Sequence, residues 1–325
     1  MRYFGALLVA LASGGCLPSD SRPPPAEVTV TVSSSDFTLN DIPAAATSDG
    51  FDIVVERLLV NVGQAALDDG DSSNACDEYS SPNYTRLFDF KRVSAPRELG
   101  IAFATGHCAF GYSVRFPNYA TLLDAGATSE DAALMRTPGS DPDATDAGVS
   151  VYVEGVAVRG GETKHFAWPF RKRVGYADCA FFEDDGRAFR SGLSLASDEK
   201  TSINLEVHAE GLFQNHSGTP AHFQPYADAD ANGDGEITFD ELWTVPLAAV
   251  IAAGFDAPMD VSVPPPVSMA PAPIDPAHPC FDGDGNVIGI KTLGDYAYCE
   301  LLPTLVRVEG NGACMVQIGR AKDDR

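Results

Sequence analysis

The sequence predicts a mainly β protein, with an antiparallel β-sandwich over residues 27–213. About eight segments of this region alternate apolar and polar residues with the period of a strand. No β-α-β alternation separates them, and the region contains only one short helical pattern. Strands that follow one another without crossover helices pair as antiparallel neighbours, so we expect a sandwich rather than a parallel sheet.

The predicted strands follow one another along the chain. The first is the run VTVTV at 28–32, in which every second residue is valine. Further runs lie at 85–90, 108–116, 149–170 and 201–213. Glycine, proline and aspartate cluster between several of these runs, which is typical of turns and surface loops.

The run at 51–67, FDIVVERLLVNVGQAAL, differs from the others because both of its alternating sets are largely apolar. A strand with two apolar faces is covered on both sides. We therefore place this segment in the centre of the sheet.

Two local signals define the remaining elements of this region. Gly160-Gly161 lies inside the run at 149–170, and this pair favours the positive φ angles of a tight hairpin turn. The segment 128–136, TSEDAALMR, predicts a short helix in which Thr128 caps the N-terminus and Asp131 completes a capping box.

The sequence after the predicted sandwich divides into three parts. Residues 219–255 contain an acidic loop and an apolar helix candidate at 246–254, residues 256–279 form a Pro-rich linker, and residues 280–325 form a Cys-containing C-terminal segment. This last segment is too short to build much of a core alone, so we expect it to be attached to the larger domain.

The N-terminus predicts export. An apolar run at 4–12 follows Arg2, and the small residues at 13–15 precede Cys16, so residues 1–16 have the pattern of a signal peptide. The small residues before Cys16 are similar to the lipobox of bacterial lipoproteins, although Ser13 stands where that family usually has leucine. The resemblance implies that Cys16 is lipidated and that Leu17 directs the protein to the outer membrane. The Pro-rich tether at 17–26 would hold the domain away from the membrane surface.

The cysteines other than Cys16 predict three disulfide bonds, because the count is even and no C-x-x-C pair or zinc-site spacing occurs. They are Cys76, Cys108, Cys179, Cys280, Cys299 and Cys314. Three precede residue 200 and three follow residue 279, so complete pairing requires an odd number of bonds between the two regions. At least one disulfide should therefore link the C-terminal segment to the main domain.

The charge balance narrows the range of partners. The chain has 22 basic and 46 acidic residues, a formal net charge of −24. Such a charge repels nucleic acids and anionic surfaces and attracts cations. We expect no nucleic-acid partner and regard a divalent metal as plausible.

One acidic stretch, DANGDGEITFDE at 230–241, has oxygen-bearing residues at the spacing that calcium prefers. The candidate ligands are Asp230, Asn232, Asp234, Glu236 through its backbone carbonyl, Thr238 and Glu241. Gly235 lies where the chain must turn sharply, and Ile237 is an apolar anchor. A register that begins at Asp228 fails because it places Phe239, which cannot bind a metal, at position twelve.

This stretch resembles an EF-hand calcium-binding loop, with a suitable residue in every required position. Its flanks differ from the family: Pro225 interrupts the entering helix and Pro246 interrupts the exiting one, as in dockerin-like calcium loops. EF-hands normally occur in pairs, and the sequence contains no second loop. The resemblance implies Ca²⁺ as cofactor with a dissociation constant of about 10⁻⁴ to 10⁻³ M and a structural role.

Histidines supply an alternative. His107, His165 and His208 lie on or beside predicted strands, and imidazole is a good copper ligand. The order and spacing of the strands are loosely similar to the methanobactin-linked copper-binding family, whose members are sandwich proteins. This resemblance implies a periplasmic copper-binding or metal-handling protein, but it rests on no diagnostic motif and assigns no ligand.

The motifs of the common hydrolases and nucleotide-binding enzymes are absent from the sequence. We therefore expect a non-enzymatic, calcium-binding lipoprotein of the cell envelope with a structural or interaction role. A protein partner is not predicted.

Overall fold

Strands dominate the computed structural model, which describes residues 23–69, 75–138, 148–182, 189–215, 218–256, 289–310 and 312–318. The strands are β1 (Ala26–Ser34), β2 (Asp52–Asp68), β3 (Cys76–Ser80), β4 (Thr85–Asp89), β5 (Arg97–Val114), β6 (Leu122–Leu123), β7 (Val151–Arg159), β8 (Glu162–Phe170), β9 (Val174–Phe182), β10 (Phe189–Ser191), β11 (Leu193–Leu195), β12 (Lys200–Val207), β13 (Glu236–Thr238), β14 (Val306–Val308) and β15 (Ala313–Ile318). The predicted mainly β class is confirmed.

Helices are short. They are α1 (Asp36–Asn40), α2 (Ser129–Met135), α3 (Gln224–Ala227), α4 (Phe239–Leu242), α5 (Leu247–Ala252) and α6 (Leu293–Tyr296). Helical turns of other types occur at Ala44–Ala46, Phe90–Arg92, Ala209–Leu212, Ala297–Leu301 and Leu302–Thr304. Within the described ranges, no helix is long and apolar enough to cross a membrane.

The strands form one large sheet whose main path has the order β13-β8-β7-β2-β5-β1-β12-β14. The sheet is mixed, which corrects the expectation of a purely antiparallel arrangement. β1 is parallel to β12, β13 is parallel to β8, and β4 is parallel to β6. Alternation predicts that a segment is a strand, but it contains no information about which strand lies beside it or in which direction that strand runs.

β2 is the central strand that the sequence predicts. It pairs with β7, β4 and β5, and its residues 58–63 are buried. Val60 and Val62 belong to the main core, whereas Leu59 packs with Leu87 against Met135 of α2. Helix α2 therefore covers the second face of β2 at Leu59. A register shift between Val55 and Arg57 also changes which alternating set faces the main core, so apolar residues occur in both sets.

Other local predictions are also confirmed. β7 and β8 form the expected hairpin, and the φ angles of Gly160 and Gly161 are +56° and +90°. Thr128 and Asp131 form the predicted capping box at the start of α2. The helix predicted at 246–254 is present as α5.

The sequence did not predict the short strands β3, β6, β10, β11 and β13, and three of the longer strands also need correction. β5 begins at Arg97 rather than at Cys108, because small buried residues such as Ala102 and Ala104 form a strand without a strong apolar signal. The run at 201–213 leaves the sheet after Val207 and continues as a helical turn. The third correction is β9, which was not predicted, since Asp178, with a φ of +46°, interrupts its apolar pattern.

The C-terminal segment belongs to the same sheet. β14 pairs with β12, and β15 pairs with β9. Leu205 of β12 and Val308 of β14 belong to one buried core that also includes residues of β1, β2 and β8. The described residues of this segment thus share the sheet and the buried core of the main domain.

A disulfide bond also connects the C-terminal segment to the rest of the sheet. Cys76 is bonded to Cys108, and Cys179 of β9 is bonded to Cys314 of β15. Cys299 is disulfide-bonded as well, and Cys280 lies outside the described residues. The predicted bond between the two regions of the chain is therefore confirmed, and Cys108 has no free thiolate for a metal.

The double variant Cys179→Ala/Cys314→Ala tests how much this bond stabilises the fold. The bond closes a sequence separation of 135 residues, against 32 for Cys76–Cys108. Because a longer loop loses more unfolded-state entropy when it is closed, we expect its removal to cost about 1 kcal/mol more than the variant Cys76→Ala/Cys108→Ala. Urea unfolding of both variants measures the difference, and an equal or reversed order would contradict the expectation.

Candidate metal centre

The acidic loop at 230–236 is folded by its own side chains. Asp230 accepts backbone N–H bonds from Gly233 through Oδ1 at 2.8 Å and from Gly235 through Oδ2 at 3.0 Å. Asn232 Oδ1 accepts from Asp234 N at 2.9 Å, and Asp234 Oδ1 accepts from Glu236 N at 2.8 Å. Aspartate and asparagine that bond to the backbone a few residues onward curl the chain into successive turns. The φ of Gly235 is +86°, as the predicted sharp turn requires.

The entrance to the loop is held by aromatic packing. Pro225 lies in the first turn of α3, which has only four residues, so the entering helix is as short as the sequence predicts. Tyr226 of this turn is stacked on Trp168 of β8 with 4.8 Å between ring centroids, and its hydroxyl donates to Leu212 O at 2.7 Å. These contacts fix the position of the residues that directly precede the loop.

Ile237 fastens the middle of the segment to the sheet. It lies in β13 beside Phe166 of β8 and is only 1% exposed. Its carbonyl accepts a hydrogen bond of 3.0 Å from Trp168 Nε1, and His165 N donates to Gly235 O at 2.8 Å. The expected apolar anchor is thus buried. The segment pairs with the edge of β8 through Glu236–Thr238.

The end of the segment begins a helix. Glu241 Oε2 accepts from Thr238 N at 2.8 Å and from Thr238 Oγ1 at 2.9 Å, and Thr238 Oγ1 accepts from Glu241 N. These contacts form a capping box at the start of α4. The residues predicted at positions nine and twelve are therefore joined to each other.

Asp230 has an additional partner from another strand. Lys164 of β8 places Nζ 2.7 Å from Asp230 Oδ2, and the Asp230 side chain is fully buried. The hydrogen bond from Lys164 holds the pKa of the Asp230 carboxyl below its usual value, and the same bond raises the pKa of Lys164. Lys164 is an important residue of this centre that the sequence analysis missed, since no spacing rule links it to a loop more than sixty residues away.

The candidate ligands are only partly assembled. Asp230, Asn232 and Asp234 line one curled turn, and Asn232 Nδ2 donates to Asp234 Oδ2 at 2.9 Å. Glu236 is exposed. Across the described residues, no three His, Cys, Asp or Glu side chains converge as a group that could hold a metal ion. Within the loop segment, the Glu241 carboxylate is bonded to Thr238.

The donor chemistry nevertheless suits a hard cation. Asp230, Asn232, Asp234, Thr238 and Glu241 all offer side-chain oxygens, and Glu236 contributes a carbonyl oxygen. Oxygen-only sets of this kind match Ca²⁺ and do not match softer metals.

The segment also contacts the C-terminal part of the chain. Phe239 of α4 packs against both Phe170 of β8 and Tyr298, with ring centroids 5.2 Å from each. Leu293 N, at the first residue of α6, donates to Val245 O at 2.9 Å. The loop and its short exiting helix therefore form the junction between the sheet and residues 291–301.

The three histidines of the copper alternative lie on different elements. His107 lies on β5, and its Nδ1 is 3.1 Å from Ser194 Oγ. His165 lies on β8. His208 follows β12 and bonds through Nδ1 to Glu210 Oε1 at 2.8 Å. Burial opposes ionisation of Glu210, but the hydrogen bonds from His208, Ser35 and the backbone together lower the Glu210 pKa. The described residues therefore provide no shared histidine centre.

Cys16, the predicted lipidation site, lies outside the described residues, as do the predicted signal peptide and most of the predicted tether.

The chain matches no protein-family model, and no curated protein or solved structure is significantly similar to it.

The substitution Ile237→Ala tests whether the anchor holds the loop on β8. Truncating a buried isoleucine removes apolar contacts and leaves a cavity, so we expect a loss of about 2–4 kcal/mol in the free energy of unfolding. Urea unfolding in the presence of a chelator measures this loss without any contribution from metal.

Ile251→Ala is the matched control, because Ile251 is 38% exposed. Its substitution should change the free energy of unfolding by no more than about 0.5 kcal/mol. Equal effects of the two substitutions would show that Ile237 is not an anchor.

Proposed function

We propose that this protein is a non-enzymatic, calcium-binding lipoprotein of the cell envelope, in which calcium stabilises the junction between the sheet and the C-terminal segment. One observation carries the proposal. Residues 230–241 have an oxygen donor at every EF-hand ligand position, a turn glycine at Gly235 and an apolar anchor at Ile237 that is buried against β8.

The ligands in this proposal are the side chains of Asp230, Asn232, Asp234, Thr238 and Glu241 and the carbonyl of Glu236. Bound calcium would supply positive charge among carboxylates that otherwise repel one another. Glu241 caps α4 in this structure, so service as a ligand requires its carboxylate to leave Thr238. The turns at 230–236 are already formed, which limits the ordering that binding requires.

A structural role agrees with the position of the loop. The segment joins β8, through Ile237, to the C-terminal residues, through Phe239 and Tyr298. A cation held by Asp230 and Glu241 would connect the start of the loop to the start of α4. The expected affinity, with a dissociation constant of about 10⁻⁴ to 10⁻³ M, suits a site that is filled permanently outside the cytoplasm.

We also propose that the large sheet is folded into a two-layer sandwich. The support for this arrangement is that β5 pairs with β1 through residues 97–104 and with β2 through residues 109–114, and that a single buried core includes residues of both β1 and β2. Such a core is expected when two halves of a bent sheet face each other.

Calcium should raise the stability of the parent protein. With 10 mM Ca²⁺ and the affinity given above, binding to the folded state alone adds about 1.5–3 kcal/mol to the free energy of unfolding. Urea unfolding with calcium and with a chelator measures this increment.

Glu241→Gln should abolish most of the calcium increment, because an amide lacks the charge of the bidentate ligand. Glutamine still serves in a capping box, so the metal-free stability should be retained. Glu56→Gln, at an exposed position of β2, removes the same charge elsewhere and should leave the increment unchanged. Identical unfolding of the parent with and without calcium would exclude the proposed role.

Lipid attachment is tested separately. When the full-length chain is produced in a bacterial host, we expect a labelled fatty acid to be incorporated and the protein to sediment with membranes. Cys16→Ser should lose the label and appear in the soluble fraction. An unlabelled parent protein would show that Cys16 is not lipidated.

A further inference from the structure

Lys164 lies where the acidic loop meets the sheet. It belongs to β8, and the parallel pairing of β13 with β8 brings the loop over this strand. Lys164 Nζ is 2.7 Å from Asp230 Oδ2 and 3.8 Å from Glu162 Oε1, and the lysine side chain is 15% exposed. The ammonium is therefore mostly enclosed between β8 and the loop.

Asp230 is the first ligand position of the proposed calcium site, and most of its bonding capacity is used. Its Oδ2 accepts from Gly235 N and from Lys164, and its Oδ1 accepts from Gly233 N. A carboxylate oxygen accepts about two hydrogen bonds. One acceptor position of Oδ1 thus remains for a metal, while Oδ2 already contacts a positive charge.

We propose that Lys164 is a tethered cation that keeps the loop docked on β8 in the metal-free protein and weakens its affinity for calcium. This inference rests on the proposed calcium function. Before calcium binds, the ammonium balances part of the negative charge of Asp230. After it binds, a monovalent and a divalent cation share one carboxylate and repel each other. Lys164 consequently lowers the affinity of the loop for calcium.

An ordinary ion pair makes a different prediction. If Lys164 only oriented Asp230, its removal would loosen the first ligand and calcium would bind more weakly. If Lys164 acts through its charge, its removal favours calcium even though the metal-free protein becomes less stable. Calcium affinity and metal-free stability must therefore change in opposite directions.

Isothermal titration with CaCl₂ at constant ionic strength provides the first measurement. We expect Lys164→Gln to lower the dissociation constant about tenfold, as the repulsion of a single and a double charge at close range implies. Lys164→Arg keeps the charge and should stay within about twofold of the parent. Lys200→Gln is the matched control: Lys200 is exposed and bonded to Glu27, so its removal changes net charge equally but should not tighten binding.

Melting in a chelator provides the second measurement. Lys164→Gln should melt at a lower temperature than Lys200→Gln, and saturating calcium should remove most of this difference. Equal melting of the two variants in the chelator would overturn the docking role of Lys164.

The titration also separates the two proposals. If the parent binds calcium and Lys164→Gln binds it no more tightly, the role of Lys164 is wrong and the calcium function stands. If neither protein binds calcium, the calcium function is wrong and the affinity role of Lys164 fails with it. Binding by Lys164→Gln alone would mean that the lysine excludes calcium from the parent, which supports the inference.

Discussion

The parallel pairing of β13 with β8 is the constraint on which the second half of the molecule depends. Three residues, Glu236–Thr238, make this contact. They bury Ile237, close one edge of the sheet, bring Asp230 to Lys164 and direct α4 towards Tyr298. If this short strand were displaced, the acidic loop would lose its ion pair with Lys164. The C-terminal residues would also lose the contact between Phe239 and Tyr298. A strand of only three residues thus determines the geometry of a much larger region.

Local features of the fold could be predicted because they depend on neighbouring residues. Gly160-Gly161 determines a hairpin turn, Thr128 and Asp131 determine a helix start, and the many apolar residues of β2 indicate a buried strand. Strand direction could not be predicted in the same way. β1 and β12 are parallel although about 170 residues separate them, and nothing in either segment identifies the other as its neighbour. β9 escaped prediction because an irregularity at Asp178 disturbs its period.

The same division applies to the candidate site. The turns at 230–236, the buried anchor and the truncated helices follow from spacing within one segment, and the sequence predicts them. Lys164 and Trp168 come from β8, and their contacts with the loop depend on the strand pairing. The placement of Glu241 on Thr238 reflects a competition between helix capping and metal binding. Composition cannot decide that competition, because the same glutamate is suited to both.

The last strands of the sheet have a consequence for biosynthesis. β12 and β9 gain their neighbours β14 and β15 from residues 306–318. Until those residues have been translated, both strands present unpaired backbone groups, which invite association with other chains. Pairings across such long sequence separations also form slowly. A chain that terminates before residue 306 therefore carries two open edges, so premature stop codons late in the reading frame should yield an aggregating product rather than a slightly shortened protein.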